Sequence, residues 1–183
     1  MTRPAPADRH WYRGRLRAAT PLLGIRITMT VLALAAIATG CGGSESSAYT
    51  AADLRSGDAV SVDDLAGSPA LLVSWATWCR ECDEELAGLQ QFAESLEAQG
   101  VRIVAVNLDA ADVEAEIDEK ISRHDLSVEL WRDRRNEFRG AFGALGVPTT
   151  VVIDANGKVV GTFPGAVDFD DEAVLEALDT ARS

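Results

Sequence analysis

Cys79 and Cys82 lie in the stretch "WATWCREC", with Arg80 and Glu81 between them. Such a pair can be a structural staple, part of a metal clamp, or a reversible dithiol. A disulfide across two residues closes a tiny loop. It removes little entropy from the unfolded chain, so it is a weak staple. A zinc clamp needs two more good ligands. No second Cys/His pair follows, and His124 is the one histidine beyond residue 40. His124 ends an acidic helical stretch, where an imidazole suits the negative end of the helix dipole.

The elements around the pair favour the dithiol. "ALLVSWA", Ala70 to Ala76, is an apolar run interrupted by one Ser. Its length and the preceding "GSP" fit a strand buried on both faces. After the cysteines, Leu86, Leu89, Phe92, Ala93 and Leu96 recur at three- and four-residue spacing. That is one face of an amphipathic helix, and Gly100 is its natural stop. A strand running into C-x-x-C and then a helix puts Cys79 at the helix N-terminus. Free backbone N–H groups there favour a thiolate. Cys82 follows one turn later on the same side, close enough for the sulfurs to bond, and more sheltered. Cys79 reads as the nucleophile and Cys82 as the resolving thiol.

The rest of the chain supplies the frame. "VRIVAVNLD" from Val101 is a β-branched strand, Ala111 to His124 an acidic helix, and "SVELW" from Ser127 a short strand. Asn136 to Leu145 reads as a short helix. "TTVVID" and "KVVGTF" flank "ANGK", a hairpin turn signal. Asp170 to Ala181 closes the chain as a helix. The fold class is α/β. A parallel first part with a right-handed crossover joins an antiparallel hairpin, and helices cover both faces of the central apolar strands.

Charge and the N-terminal stretch bound the setting. The chain carries −12 and residues 1–40 carry +5 from six Arg and one Asp, which leaves −17 on residues 41–183. A part that acidic repels nucleic-acid phosphates and anionic membrane surfaces. In residues 1–40, arginines precede the apolar run "ITMTVLALAAIATG". The run is short of the about 20 residues of a spanning helix and suits an export signal. Small residues then meet Cys41, and "GGSESS" follows as a polar tether. "ATGC" is similar to a bacterial lipoprotein box. That resemblance implies a signal peptide over 1–40, a lipidated Cys41 with a flexible linker over 41–52, and a folded domain over 53–183. The expected location is the outer face of the cytoplasmic membrane or the periplasm, where disulfides persist.

"VSWATWCRECDEEL", "GVPTTVVIDANGKVVG" and the lipobox together resemble the TlpA/ResA-type thioredoxin-like lipoproteins. The resemblance implies a thioredoxin fold, with a helical and strand insertion over about 111–145. It implies thiol–disulfide exchange outside the cytoplasm through a Cys79–Cys82 redox disulfide. Protein thiols and disulfides would be the substrates, apocytochrome c among them, and a thiol-type membrane protein would supply electrons. No cofactor and no metal are implied. Trp78 takes the aromatic place before the nucleophile. Pro148 takes the cis-proline place, with the Val147 backbone beside the disulfide, where a substrate segment could pair as an added strand. Glu85 takes the place of an active-site acid that assists proton transfer, although "DEE" also simply suits a first helical turn. Val73 stands where thioredoxins proper carry a buried acid.

One departure is Glu81, where the family usually has proline. Arg80 should stabilise a Cys79 thiolate, and Glu81 should oppose it. Strong thiolate stabilisation makes an oxidant near about −120 mV; reductants lie near about −270 mV. Acids outnumber Arg80 locally, which leans the expectation towards a reductant. Other readings of the fold fit less well. Copper-delivery proteins separate their cysteines by three residues and add a histidine. A peroxiredoxin would place Thr three residues before the reactive cysteine, where Ala76 stands. A non-catalytic binding module would show ordinary thiol pKa values.

Overall fold

The computed structural model describes residues 49–183. Its strands are β1 (Thr50–Asp53), β2 (Ala59–Ser61), β3 (Ala70–Trp75), β4 (Arg102–Asn107), β5 (Glu129–Arg132), β6 (Thr149–Ile153) and β7 (Val159–Pro164). Its helices are α1 (Glu81–Glu97), α2 (Glu114–Arg123), α3 (Glu137–Phe142) and α4 (Glu172–Arg182). The strands form one mixed sheet in the order β2-β1-β5-β4-β3-β6-β7. β3, β4 and β5 run parallel, and β6 and β7 form the antiparallel hairpin against β3.

β3 lies inside the sheet between β4 and β6, and every one of its side chains is apolar or small and buried. Its alternation divides the core. Leu71, Val73 and Trp75 face α1, α2 and α4 with Leu86, Leu89, Ile117 and Leu178. Ala70 and Leu72 face the other side, with Trp131, Phe138 and Phe142. Helices cover both faces, as expected, but unequally. The second face has only the six-residue α3, the 3₁₀ turn Val62–Leu65 and an aromatic cluster. Gly100, with φ +79°, turns the chain out of α1 and into β4.

One boundary differs from expectation. The folded part begins before residue 53. Tyr49 is buried, stacks on Trp131 at 6.3 Å, and meets the ring edges of Phe138 and Phe142. β1 starts at Thr50 and pairs with β5. "AYTAAD" has no apolar period of its own; a distant aromatic pocket buries it. The stretch 111–145 carries the expected helical and strand elements, α2, β5 and α3, and β5 lies inside the sheet between β1 and β4. The expected signal peptide, Cys41 and the expected linker up to residue 48 lie outside the described residues. No helix of the described residues is long and apolar enough to cross a membrane.

Candidate functional site

β3 delivers the chain to the site, and two polar clamps fix where it goes next. Ser74, the one polar residue of the run, donates to the Thr149 carbonyl and accepts from the Thr149 N–H at 2.8 Å. That fastens the start of β6 to the end of β3. Beyond Trp75, the Asp109 carboxylate accepts from the Thr77 N–H at 2.8 Å and the Thr77 hydroxyl at 3.0 Å. Asn107 Nδ2 donates to the same carboxylate. Asp109 is buried, so these bonds give it the partners that burial demands.

Cys79 follows this clamped turn, and Cys82 lies in the first turn of α1. The two form a disulfide, with Cα atoms 5.4 Å apart. Cys82 is fully buried and Cys79 is 6% exposed. Cys82 is the more sheltered of the two, as expected, though Cys79 is more sheltered than a bare helix end implies. The Cys82 N–H points at Cys79 Sγ, 3.1 Å away. A reduced Cys79 would hold its thiolate in that donor's path.

Trp78 is 72% exposed, which rules out core packing for it. The Val147–Pro148 bond is cis. The register pairs Ser74 with Thr149, so this bend sits at the same sheet end as the cysteines. Val147 packs on the cluster that holds Cys79 and Cys82. A small hollow of about 180 Å³ separates Trp78 from Val147, with exposed Leu145 on its wall. It can seat an apolar side chain of a segment laid along Val147.

Glu85 is one turn past Cys82 and is buried. Its Oε1 accepts from the Thr150 hydroxyl at 2.9 Å and from the Val167 N–H at 3.4 Å. Among the described residues, its buried Oε2 has no partner. Burial pushes the Glu85 carboxyl up to about 7, against the pull of its two donors. A carboxyl poised there can both give and take a proton near neutral pH. Val73, in the place of the acid that thioredoxins proper carry, is buried in the apolar core. Arg80 and Glu81 are both exposed, so water screens any field they exert.

Residues outside the sequence expectations complete the site. Lys120 of α2 is buried and reaches the Cys79 carbonyl. Its partner Asp83 also binds His124 Nε2 at 2.9 Å. His124 therefore does more than cap a helix; it docks α2 on α1. Burial would raise the Asp83 carboxyl, but the His124 and Lys120 bonds hold it below the usual range. In sequence Lys120 reads as one more charge on an acidic helix, and nothing local marks it as buried. Among the described residues, no group of three or more His, Cys, Asp or Glu is arranged for a metal ion.

Comparison with known proteins agrees with this geometry. Residues 44–162 match the AhpC/TSA family. The thiol-disulfide oxidoreductase ResA of Oceanobacillus iheyensis is 33% identical over 61% of this chain, and the match spans 57% of that protein's own length. A ResA of Bacillus cereus is 30% identical over 67% of this chain and 69% of its own. A crystal structure from Chlorobium tepidum, described as a thiol:disulfide interchange protein DsbE, superposes with a TM-score of 0.64. It is 26% identical and covers 74% of this chain and 94% of its own. The chain belongs to the AhpC/TSA family and, within it, to the thiol-disulfide oxidoreductases of the ResA type.

Proposed function

We propose that the protein is a lipid-anchored, extracytoplasmic reductant of protein disulfides, with apocytochrome c as a substrate and a thiol-type membrane protein as electron donor. In this reading Cys79 attacks the substrate disulfide and forms a mixed disulfide. Cys82 gives its proton to Glu85 and resolves that intermediate, releasing the reduced substrate. The observation that carries the reading is Glu85: a buried carboxyl near pKa 7, one turn from the resolving cysteine. Val147 and the hollow beside Trp78 support docking of an extended segment. The anchor rests on Cys41 with its apolar leader and tether. The direction rests on the exposed acids Glu81 and Glu84 beside Arg80.

The test is a peptide with the haem-attachment pattern C-x-x-C-H in disulfide form. The reduced full chain should reduce it, and the Cys79→Ser chain should not. If the oxidised chain instead oxidises the peptide dithiol at equilibrium, the direction is wrong. If neither form exchanges with it, apocytochrome c is the wrong substrate.

A further inference from the structure

Lys120 is the only buried basic side chain among the described residues, at 5% exposure. A buried ammonium keeps its charge only where partners replace water. Its Nζ donates to the Cys79 carbonyl at 3.1 Å and to the Ala76 carbonyl at 3.4 Å. It pairs with Asp83 Oδ1 at 3.1 Å. These contacts bracket the nucleophile. Ala76 ends the approach from β3, Cys79 carries the thiol, and Asp83 lies in the first turn of α1.

The charges are unevenly committed. Asp83 is half-buried and divides its carboxylate among Lys120, His124 at 2.9 Å and Arg123 at 3.8 Å. Arg123 is exposed and also pairs with Glu119. Lys120 has no second carboxylate among the described residues; its other contacts are the two carbonyls of the cysteine turn. It is thus the sheltered cation bonded to the nucleophile's own backbone, while Arg80 and Glu81 face solvent.

We propose that Lys120 is a positioning residue of the redox centre, which holds the Ala76–Cys79 turn and sets the reduction potential upward by favouring the Cys79 thiolate. The disulfide takes up two electrons and one proton and becomes a Cys79 thiolate and a Cys82 thiol. A partner dithiol loses those two electrons and two protons, one going to Cys82 and one to solvent, and closes to a disulfide. A cation beside Cys79 stabilises only the reduced side of this balance. Lys120 thereby opposes the exposed acids and limits how strongly reducing the pair becomes. The inference rests on Cys79 being the attacking thiol.

The test is the glutathione equilibrium of the full chain and the pH profile of Cys79 alkylation, in Lys120→Met, Lys120→Arg and Asp83→Asn. Lys120→Met should lower the reduced-to-oxidised ratio at a fixed glutathione potential about tenfold, equivalent to about 30 mV, and raise the Cys79 pKa. Lys120→Arg should stay within about twofold of wild type. Asp83→Asn leaves the cation with less compensation, so it should shift the equilibrium about threefold the opposite way. A merely structural cluster would loosen in both variants and shift them in one direction. Shifts of the same sign, or none, overturn the proposal. If Lys120→Met does not fold, Asp83→Asn decides alone, an upward shift supporting and any other overturning. Wild type alkylated first at Cys82 would instead overturn the assignment of the nucleophile.

Discussion

Glu85 and Thr150 share a buried hydrogen bond of 2.9 Å that ties α1, one turn past Cys82, to β6, two residues past Pro148. The bond joins the halves of the site: the helix that carries the cysteines and the strand that follows the cis bend. It also leaves one Glu85 oxygen buried and without a partner among the described residues, which is a costly place for a charge.

Glu85→Gln should make stability less dependent on pH. The folded-state pKa of about 7 lies above the ordinary 4.5. The folded protein therefore keeps a proton that the unfolded chain gives up between these values. The Glu85 carboxyl should therefore cost the wild type nothing below about pH 4.5 and an increasing amount as pH rises through 7. The variant should match wild type near pH 4 and exceed it at pH 8 by on the order of 3 kcal/mol. Chemical denaturation at both pH values measures this. The variant should also resolve mixed disulfides at least about tenfold more slowly. An equal gap at both pH values would contradict the raised pKa.

Trp78→Ala should separate binding from folding. The indole is 72% exposed, so its loss should change stability by less than about 0.5 kcal/mol. Reduction of a protein disulfide should slow several-fold through KM, while exchange with glutathione, which needs no docking surface, should hold. Equal slowing with both partners would place Trp78 in the chemistry instead.

Arg80 and Glu81 should tune the potential weakly and with opposite signs. Glu81→Gln should move it upward and Arg80→Gln downward. Both side chains are exposed, so each shift should stay below about 30 mV, the equivalent of about 1.4 kcal/mol, and shrink at high salt. The glutathione equilibrium at low and high salt measures both. A Glu81→Gln potential that stays put or falls would make the dipeptide a substrate contact or a neutral feature.

The anchor can be tested by fractionation. The full chain should partition with membranes, and Cys41→Ser should not carry lipid. A lipidated Cys41→Ser chain would contradict the lipobox reading.

The parts of the fold legible in sequence are those whose signal is local. β3 announces itself as an apolar run, α1 by its helical spacing, the hairpin by Asn156-Gly157, and the cis bend by the motif around Pro148. Tyr49 and β1 are silent because their burial depends on Trp131, Phe138 and Phe142, more than 80 residues away in sequence. Asp109 is visible in sequence only as the end of a strand. Its role comes from the Thr77 turn that the parallel register of β3 and β4 brings alongside. Lys120 is the clearest case: a long polar side chain on an acidic helix, buried because its tip reaches carbonyls of another element.

Disulfide trapping tests the division of labour between Cys79 and Cys82 most directly. The full chain with Cys82→Ser, exposed to disulfide-bonded exported proteins, should accumulate mixed disulfides through Cys79, identified by mass spectrometry under non-reducing conditions. The Cys79→Ser chain should accumulate none, because Cys82 is fully buried. Adducts on Cys82 in the Cys79→Ser chain, with none on Cys79 in the other, would contradict the account.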